Sequence, residues 1–196
     1  MASFGNLETD IPFLVELMEE HEVVHGLAER AIELLDEAAA GGPAERQAAF
    51  AVVRDLDAYL AEDMVFHIAK EEDVLFPALR GFAADLDKVV VEMVEQHDEV
   101  RARCAAIEAA MRALDAEHER VEDAKGELAA AVRSADGSAL SDADVERLLD
   151  GVKRLDWILQ GHFGDEEDDL FVPAIDLLEA ETWTRLHEQA KELEAI

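Results

Sequence analysis

Cys104 is the single cysteine of the 196 residues. No intramolecular disulfide can form, and a thiolate cluster of the zinc-ribbon or iron–sulfur type is excluded. Basic residues are scarce as well. Against 48 Asp and Glu stand 17 Lys and Arg, a formal net charge of −31. A surface of that sign repels nucleic acid and anionic lipid, so neither is expected as a partner. Its simplest role is to keep the chain solvated. Aromatics make up only 6%, while Ala, Leu and Glu, which favour helix, are abundant. No apolar run approaches the roughly 20 residues that a membrane-spanning helix needs. The opening Met1-Ala2-Ser3-Phe4-Gly5-Asn6 shows no basic stretch leading into a long apolar one. No signal peptide is therefore expected, and the cytoplasm is the expected location.

The few prolines and glycines punctuate the chain. Thr9-Asp10-Ile11-Pro12 reads as a helix start, with Asp10 as N-cap and Pro12 in the first turn. A first helix over about 11–39 follows. Its seam of Ile11, Leu14, Met18, His21, His25, Ala28, Ile32 and Leu35 has the alternating three and four spacing of bundle packing. Gly41-Gly42-Pro43 breaks the chain. A second helix over about 43–79 presents Val52, Leu56, Leu60, Met64, His67, Glu71, Val74 and Ala78 inward, and Pro77 kinks or ends it. A third helix starts near Asp85 and carries His97 in the seam Leu86, Val90, Met93, Val100, Cys104, Ile107, Met111, Leu114. Beyond Leu114 a weaker pattern reaches Asp136-Gly137-Ser138, either as an extension of that helix or as a separate short one. Ser141-Asp142-Ala143-Asp144 opens a fourth helix with capping chemistry. Its inner face is Leu148, Val152, Leu155, Leu159, His162, Glu166 and Leu170, and Pro173 bends or ends it. A short amphipathic helix closes the chain over about 181–193.

One motif occurs twice. His67-Ile68-Ala69-Lys70-Glu71-Glu72-Asp73-Val74-Leu75-Phe76 and His162-Phe163-Gly164-Asp165-Glu166-Glu167-Asp168-Asp169-Leu170-Phe171 both read His-x-x-x-Glu-Glu-Asp-x-Leu-Phe. Residues four apart share a helix face, so each copy can aim an imidazole and a carboxylate at one point. Such mixed ligation suits metals of the iron and zinc kind. A lone His-x-x-x-Glu carries little weight: His25 with Glu29 and His118 with Glu122 also satisfy it. The constellation carries more. His21, His67, His97 and His162 each fall on the buried stripe of a different helix, and burying imidazoles without partners costs several kcal/mol in all. Glu71 and Glu166 point inward too, and a buried carboxylate needs a cation still more. The alternative is a hydrogen-bonded polar layer in the core. Glu72 and Glu167 are expected to matter less, because their neighbours take the inward direction. Tyr59 is expected to pack, and His118 and His187 to lie at the surface.

The stretch around His21 aligns with that around His97, so the first two helices match the second two, with an insertion of about 115–138 in the second half. On this residue set, in this order over about 11–178, the chain resembles the hemerythrin-like (HHE cation-binding) proteins. The resemblance implies an all-α, up-down-up-down four-helix bundle, here one domain over 1–196 with the insertion and the C-terminal helix. It also implies a cofactor of two iron ions, non-haem and carboxylate-bridged. The implied ligand is dioxygen or another small diatomic or anionic species. The implied activity is oxygen binding or sensing; a redox enzyme acting on peroxide or nitric oxide, or an iron sensor, is the alternative. Hemerythrins proper carry a two-histidine turn on the third helix, where this chain has Arg101, and His25 supplies the extra histidine on the first helix instead. The expected metal set is therefore His21, His25, His67, Glu71, His97, His162 and Glu166. His21, His25 and His67 would hold one ion, His97 and His162 the other, with the two glutamates bridging.

Overall fold

The structure, a computed structural model, describes residues 9–125 and 140–194, with side chains for 9–112 and 140–193. The described chain is all helical, as the periodicity predicts, in the order α1 (Pro12–Ala40), α2 (Pro43–Ala61), α3 (Asp63–Ala69), α4 (Phe76–Leu79), α5 (Ala84–Lys125), α6 (Asp142–Glu166), α7 (Val172–Leu177) and α8 (Ala180–Glu194). The doubtful stretch after Leu114 continues α5 as far as Lys125. The rest of the expected insertion lies outside the described residues.

Local chemistry sets the ends. The Ile11 N–H donates to Thr9 Oγ1 at 3.2 Å, so Thr9 rather than Asp10 caps the entry to α1. At α6 the Ser141 hydroxyl accepts from the Asp144 N–H while the Ser141 N–H donates to Asp144 Oδ2, a reciprocal capping box. Gly81, at φ 87°, takes the left-handed turn between α4 and α5 that a side chain would oppose.

Both copies of the repeated motif depart from α-helix at the same place. Lys70–Leu75 and Glu167–Phe171 are π-helical. The Phe76 N–H reaches back five residues to the Glu71 carbonyl, and that of Val172 to Glu167. Prolines follow at once, at 77 and 173. In an α-helix each ring would press on the carbonyl four residues earlier; a wider turn just ahead gives that carbonyl room. The π turn also changes which side chains are inside. From its last residue onward Leu75, Phe76 and Leu79 are buried, and the expected inward Ala78 is only partly so.

The described chain forms two compact units. One takes in the described parts of Met1–His25, Tyr59–Arg101 and Trp157–Ile196. Its apolar core includes Phe13, Leu14, Leu17, Leu75, Phe76, Leu79, Phe171, Trp183 and Leu186. The other takes in Gly26–Ala58 and the described parts of Ala102–Asp156. It buries Leu35, Phe50, Val53, Leu56, Ile107, Leu148, Val152 and Leu155, and Arg46 ties its α2 to the start of α6 through the Leu140 carbonyl and Asp142. Cys104 belongs to this second unit, where burial pushes its thiol up to about 11, an unreactive setting. Among the described residues no helix is long and apolar enough to cross a membrane.

Candidate metal centre

The first unit holds a polar cluster inside its apolar core. His21 on α1, His67 on α3, His97 on α5 and His162 on α6 are all buried, and so are Glu71 and Glu166. They form two groups, His21–His67–Glu71–Glu166 and Glu71–His97–His162–Glu166, with the donor atoms of each group all within 4.8 Å of one another. Both groups use both glutamates. His21 Nε2 lies 3.2 Å from His67 Nε2 and 3.6 Å from Glu166 Oε2. His67 Nε2 lies 3.3 Å from Glu71 Oε1, His97 Nε2 3.1 Å from Glu71 Oε2, and His162 Nε2 3.7 Å from Glu166 Oε2.

The donor set fits a cation. Bonds of about 2.0–2.2 Å place neighbouring donors of one ion roughly 3–3.6 Å apart, the range of nearly all these contacts. No well-formed hydrogen bond reaches His97 Nε2, His162 Nε2 or any carboxylate oxygen of Glu71 and Glu166. Buried groups of this kind need partners, and a shared positive charge is the partner all of them accept.

Each of the four cluster histidines is held from behind. Nδ1 of His21 faces Glu167 at 3.2 Å, that of His67 faces Glu20 at 2.8 Å, that of His97 faces Glu72 at 2.8 Å and that of His162 faces Gln96 Oε1 at 2.8 Å. Each acceptor fixes the proton on Nδ1 and leaves Nε2 free to bind inward, the arrangement by which metal-ligating histidines are oriented. Glu20 in turn takes a 2.6 Å bond from Lys70 Nζ, which is fully buried and also donates to Glu16 at 2.6 Å. Glu72 is paired with Arg101 at 2.8 Å. Tyr59 donates to the Glu20 carbonyl at 3.2 Å and so steadies the same turn of α1. Rings close the cluster: Phe163 stacks on His21 with centroids 3.8 Å apart, and Phe76 on His97 at 5.8 Å.

Six of the seven residues singled out in the sequence thus meet. His25 does not join them: it is buried but stands outside both groups. Glu167 corrects a second expectation. It is 1% exposed and backs His21, whereas its counterpart Glu72 is only partly buried. The supporting residues Glu20, Gln96, Glu72 and Glu167 were each legible as the immediate neighbour of a ligand-type residue in the aligned motifs. Lys70 also adjoins a ligand-type residue, Glu71, but nothing in its residue type marks it for burial. His187 is half-buried, 3.4 Å from Glu16. The His118 side chain lies outside the described ones.

Without a cation the cluster sorts its own protons. Burial holds His21 well below its ordinary pKa, with His67 acting the same way, and burial with His97 holds His162 at about 3. At His67 burial works against charge, but Glu71 and Glu20 carry it up to about 9. Glu71 is held well below the carboxylate range despite its burial, by His67 first. Glu166 is pushed well above that range by burial and then by Glu71, and burial pushes Glu167 up to about 7. Protons therefore stand where positive charge is needed, and a metal must displace them.

The sign follows. His67 is raised from 6.5, so its contribution to metal-free stability is complete below about pH 6.5 and lost as pH rises through about 9. The raised carboxyls act in the same direction, and His162 is neutral in both states above about 6.5. Metal-free protein should lose stability between about pH 6.5 and 9 while metal affinity grows. The gap in melting temperature between zinc-loaded and chelated samples should widen across that window; a gap that narrows would contradict the assignment.

Comparison with curated proteins gives no significant match. A family model does match: the hemerythrin HHE cation-binding domain, over residues 13–115. The matched stretch contains His21, His67, Glu71 and His97 and ends before His162 and Glu166, which the fold brings to the same cluster. With more than half of its residues matched, the chain belongs to the hemerythrin HHE cation-binding domain family.

Proposed function

We propose that this chain is a non-haem di-iron protein that binds dioxygen or a related small ligand. The supporting observation is the pair of four-donor groups that share Glu71 and Glu166. On this reading His21 and His67 would hold one ion and His97 and His162 the other, with Glu71 and Glu166 available to both. Histidine pairs with carboxylates and open positions suit non-haem ferrous iron. Four protein donors for each ion fall short of the about six that octahedral iron accepts, which leaves a place for a small exogenous ligand. When bound, the iron pair would supply the electrons and open coordination that dioxygen, nitric oxide or peroxide requires. The chain supplies the rest. Its backing carboxylates and amide fix the imidazoles, the bridging pair balances charge, and Phe76, Phe163 and Phe171 line the histidine rings with apolar surface.

Two metals per chain are expected on careful loading, and elemental analysis giving one or none would overturn the reading. Anaerobic reduction followed by air tests the activity. A stable, coloured adduct that releases oxygen under vacuum supports reversible binding; rapid oxidation without release refutes it and points to turnover of peroxide or nitric oxide at the same residues.

A further inference from the structure

The two halves of the cluster are related residue by residue, and besides His25 against Arg101 the relation fails at two places behind the motif histidines. His21 corresponds to His97, His67 to His162, Glu71 to Glu166 and Glu72 to Glu167. By the same alignment Glu20 corresponds to Gln96 and Lys70 to Asp165. In one half the residue behind the motif histidine is a carboxylate, Glu20, anchored by buried Lys70. In the other it is an amide, Gln96, whose Nε2 donates to Asp165 Oδ2 at 3.2 Å while its Oε1 takes the His162 proton. Asp165 can only accept, so the amide orientation is fixed. The other outer partners are a carboxylate in each half, Glu167 behind His21 and Glu72 behind His97. The His21–His67 position is therefore backed by two carboxyl groups, and the His97–His162 position by one carboxyl and one neutral amide.

An anionic acceptor behind an imidazole raises its basicity as a ligand, and charge-assisted bonds are the stronger ones. From this we infer that Gln96 makes the two metal positions unequal: the ion held by His21 and His67 binds first and tightly, and the one held by His97 and His162 is the weak, exchangeable one. The inference rests on the two-metal reading above and assigns the inequality to outer partners, since His25 stands outside both donor groups. Gln96 acts here as a positioning residue, through His162. Removing an outer partner of this kind changes affinity by about 10–100-fold, so the two affinities should differ by about that factor.

The test is a zinc titration of chelator-stripped full-length protein, followed by the imidazole nitrogen signals in NMR spectra. The first equivalent should shift Nε2 of His21 and His67, and the second that of His97 and His162. Gln96→Glu combined with Asp165→Lys copies the Glu20–Lys70 arrangement into the second half and should tighten the second step about tenfold or more, merging it with the first. Gln96→Glu alone should move the same step in the same direction, and by less, because Asp165 then faces a like charge. Simultaneous filling of both histidine pairs, the reverse order, or a second step unmoved by both variants would overturn the inference while leaving two metals per chain. One equivalent or none at saturation would instead overturn the two-metal reading on which it stands.

Discussion

Chelation is expected to lower the melting temperature of the loaded protein by about 15 °C or more. A site filled at a thousandfold excess over its dissociation constant adds about 4 kcal/mol of stability, and two sites add about twice that. A chain of 150–250 residues gains roughly 2–4 °C per kcal/mol. Protons on His67 and Glu166 soften the loss, because the metal-free cluster is not left with all its charges bare. They cannot remove it, since His97, His162 and both bridging-type glutamates keep buried atoms without a well-formed hydrogen bond. Superimposable melting curves with and without chelator would mean that the cluster is a polar core layer rather than a metal site.

Glu71→Ala and Glu166→Ala should each weaken binding at both positions by about 100-fold or more, beyond the 10–100-fold typical of an outer partner. Both glutamates belong to both donor groups, so neither loss can be confined to one ion. Glu72→Ala acts through His97 alone, and Arg101 stays to hold any remaining acid at the half-exposed surface. It should therefore cost about tenfold, within the range for outer partners, at one position. Glu167→Ala should resemble Glu72→Ala in binding but reduce stability more, because Glu167 is buried and its loss opens space beside His21 Nδ1. Metal titrations of the four variants decide the matter. Equal damage from Glu72→Ala and Glu71→Ala would mean that their roles had been exchanged.

Most of the helical layout and the inward direction of six donors could be read from the sequence. Apolar periodicity is a property of the chain alone, and His21, His67, His97 and His162 interrupt it in four separate places. What escaped was the local winding. The three-four count places Ala78 inside; the π turn puts Leu79 there. The same count turns Glu167 away, yet it is buried. Nothing in composition distinguishes a helix that carries one residue more in a turn from one that does not, although the following prolines were a partial signal. His25 is a different case: its seam position matches its burial, but a seam position shows only that a side chain faces inward, not which neighbours it meets. Lys70 was invisible because a lysine on a charged helix is ordinarily solvated, and only tertiary packing against Glu16 and Glu20 explains its burial.

The π turns separate two kinds of information within one short motif. Ligand direction is written in the four-residue step from histidine to glutamate, at the entrance to the widened turn. Core direction is written from its end onward, by Leu75, Phe76 and Leu79 in one copy and by Leu170, Phe171 and Ala174 in the other. A single added residue rotates an α-helix by about 100°, so the two parts of the motif are clocked independently. A deletion within Glu72-Asp73 or Glu167-Asp168 would leave the histidine and first glutamate of that copy aligned, yet swing the downstream apolar residues off the core. Motif length is thus a constraint as strict as motif composition, and it acts on folding rather than on ligation.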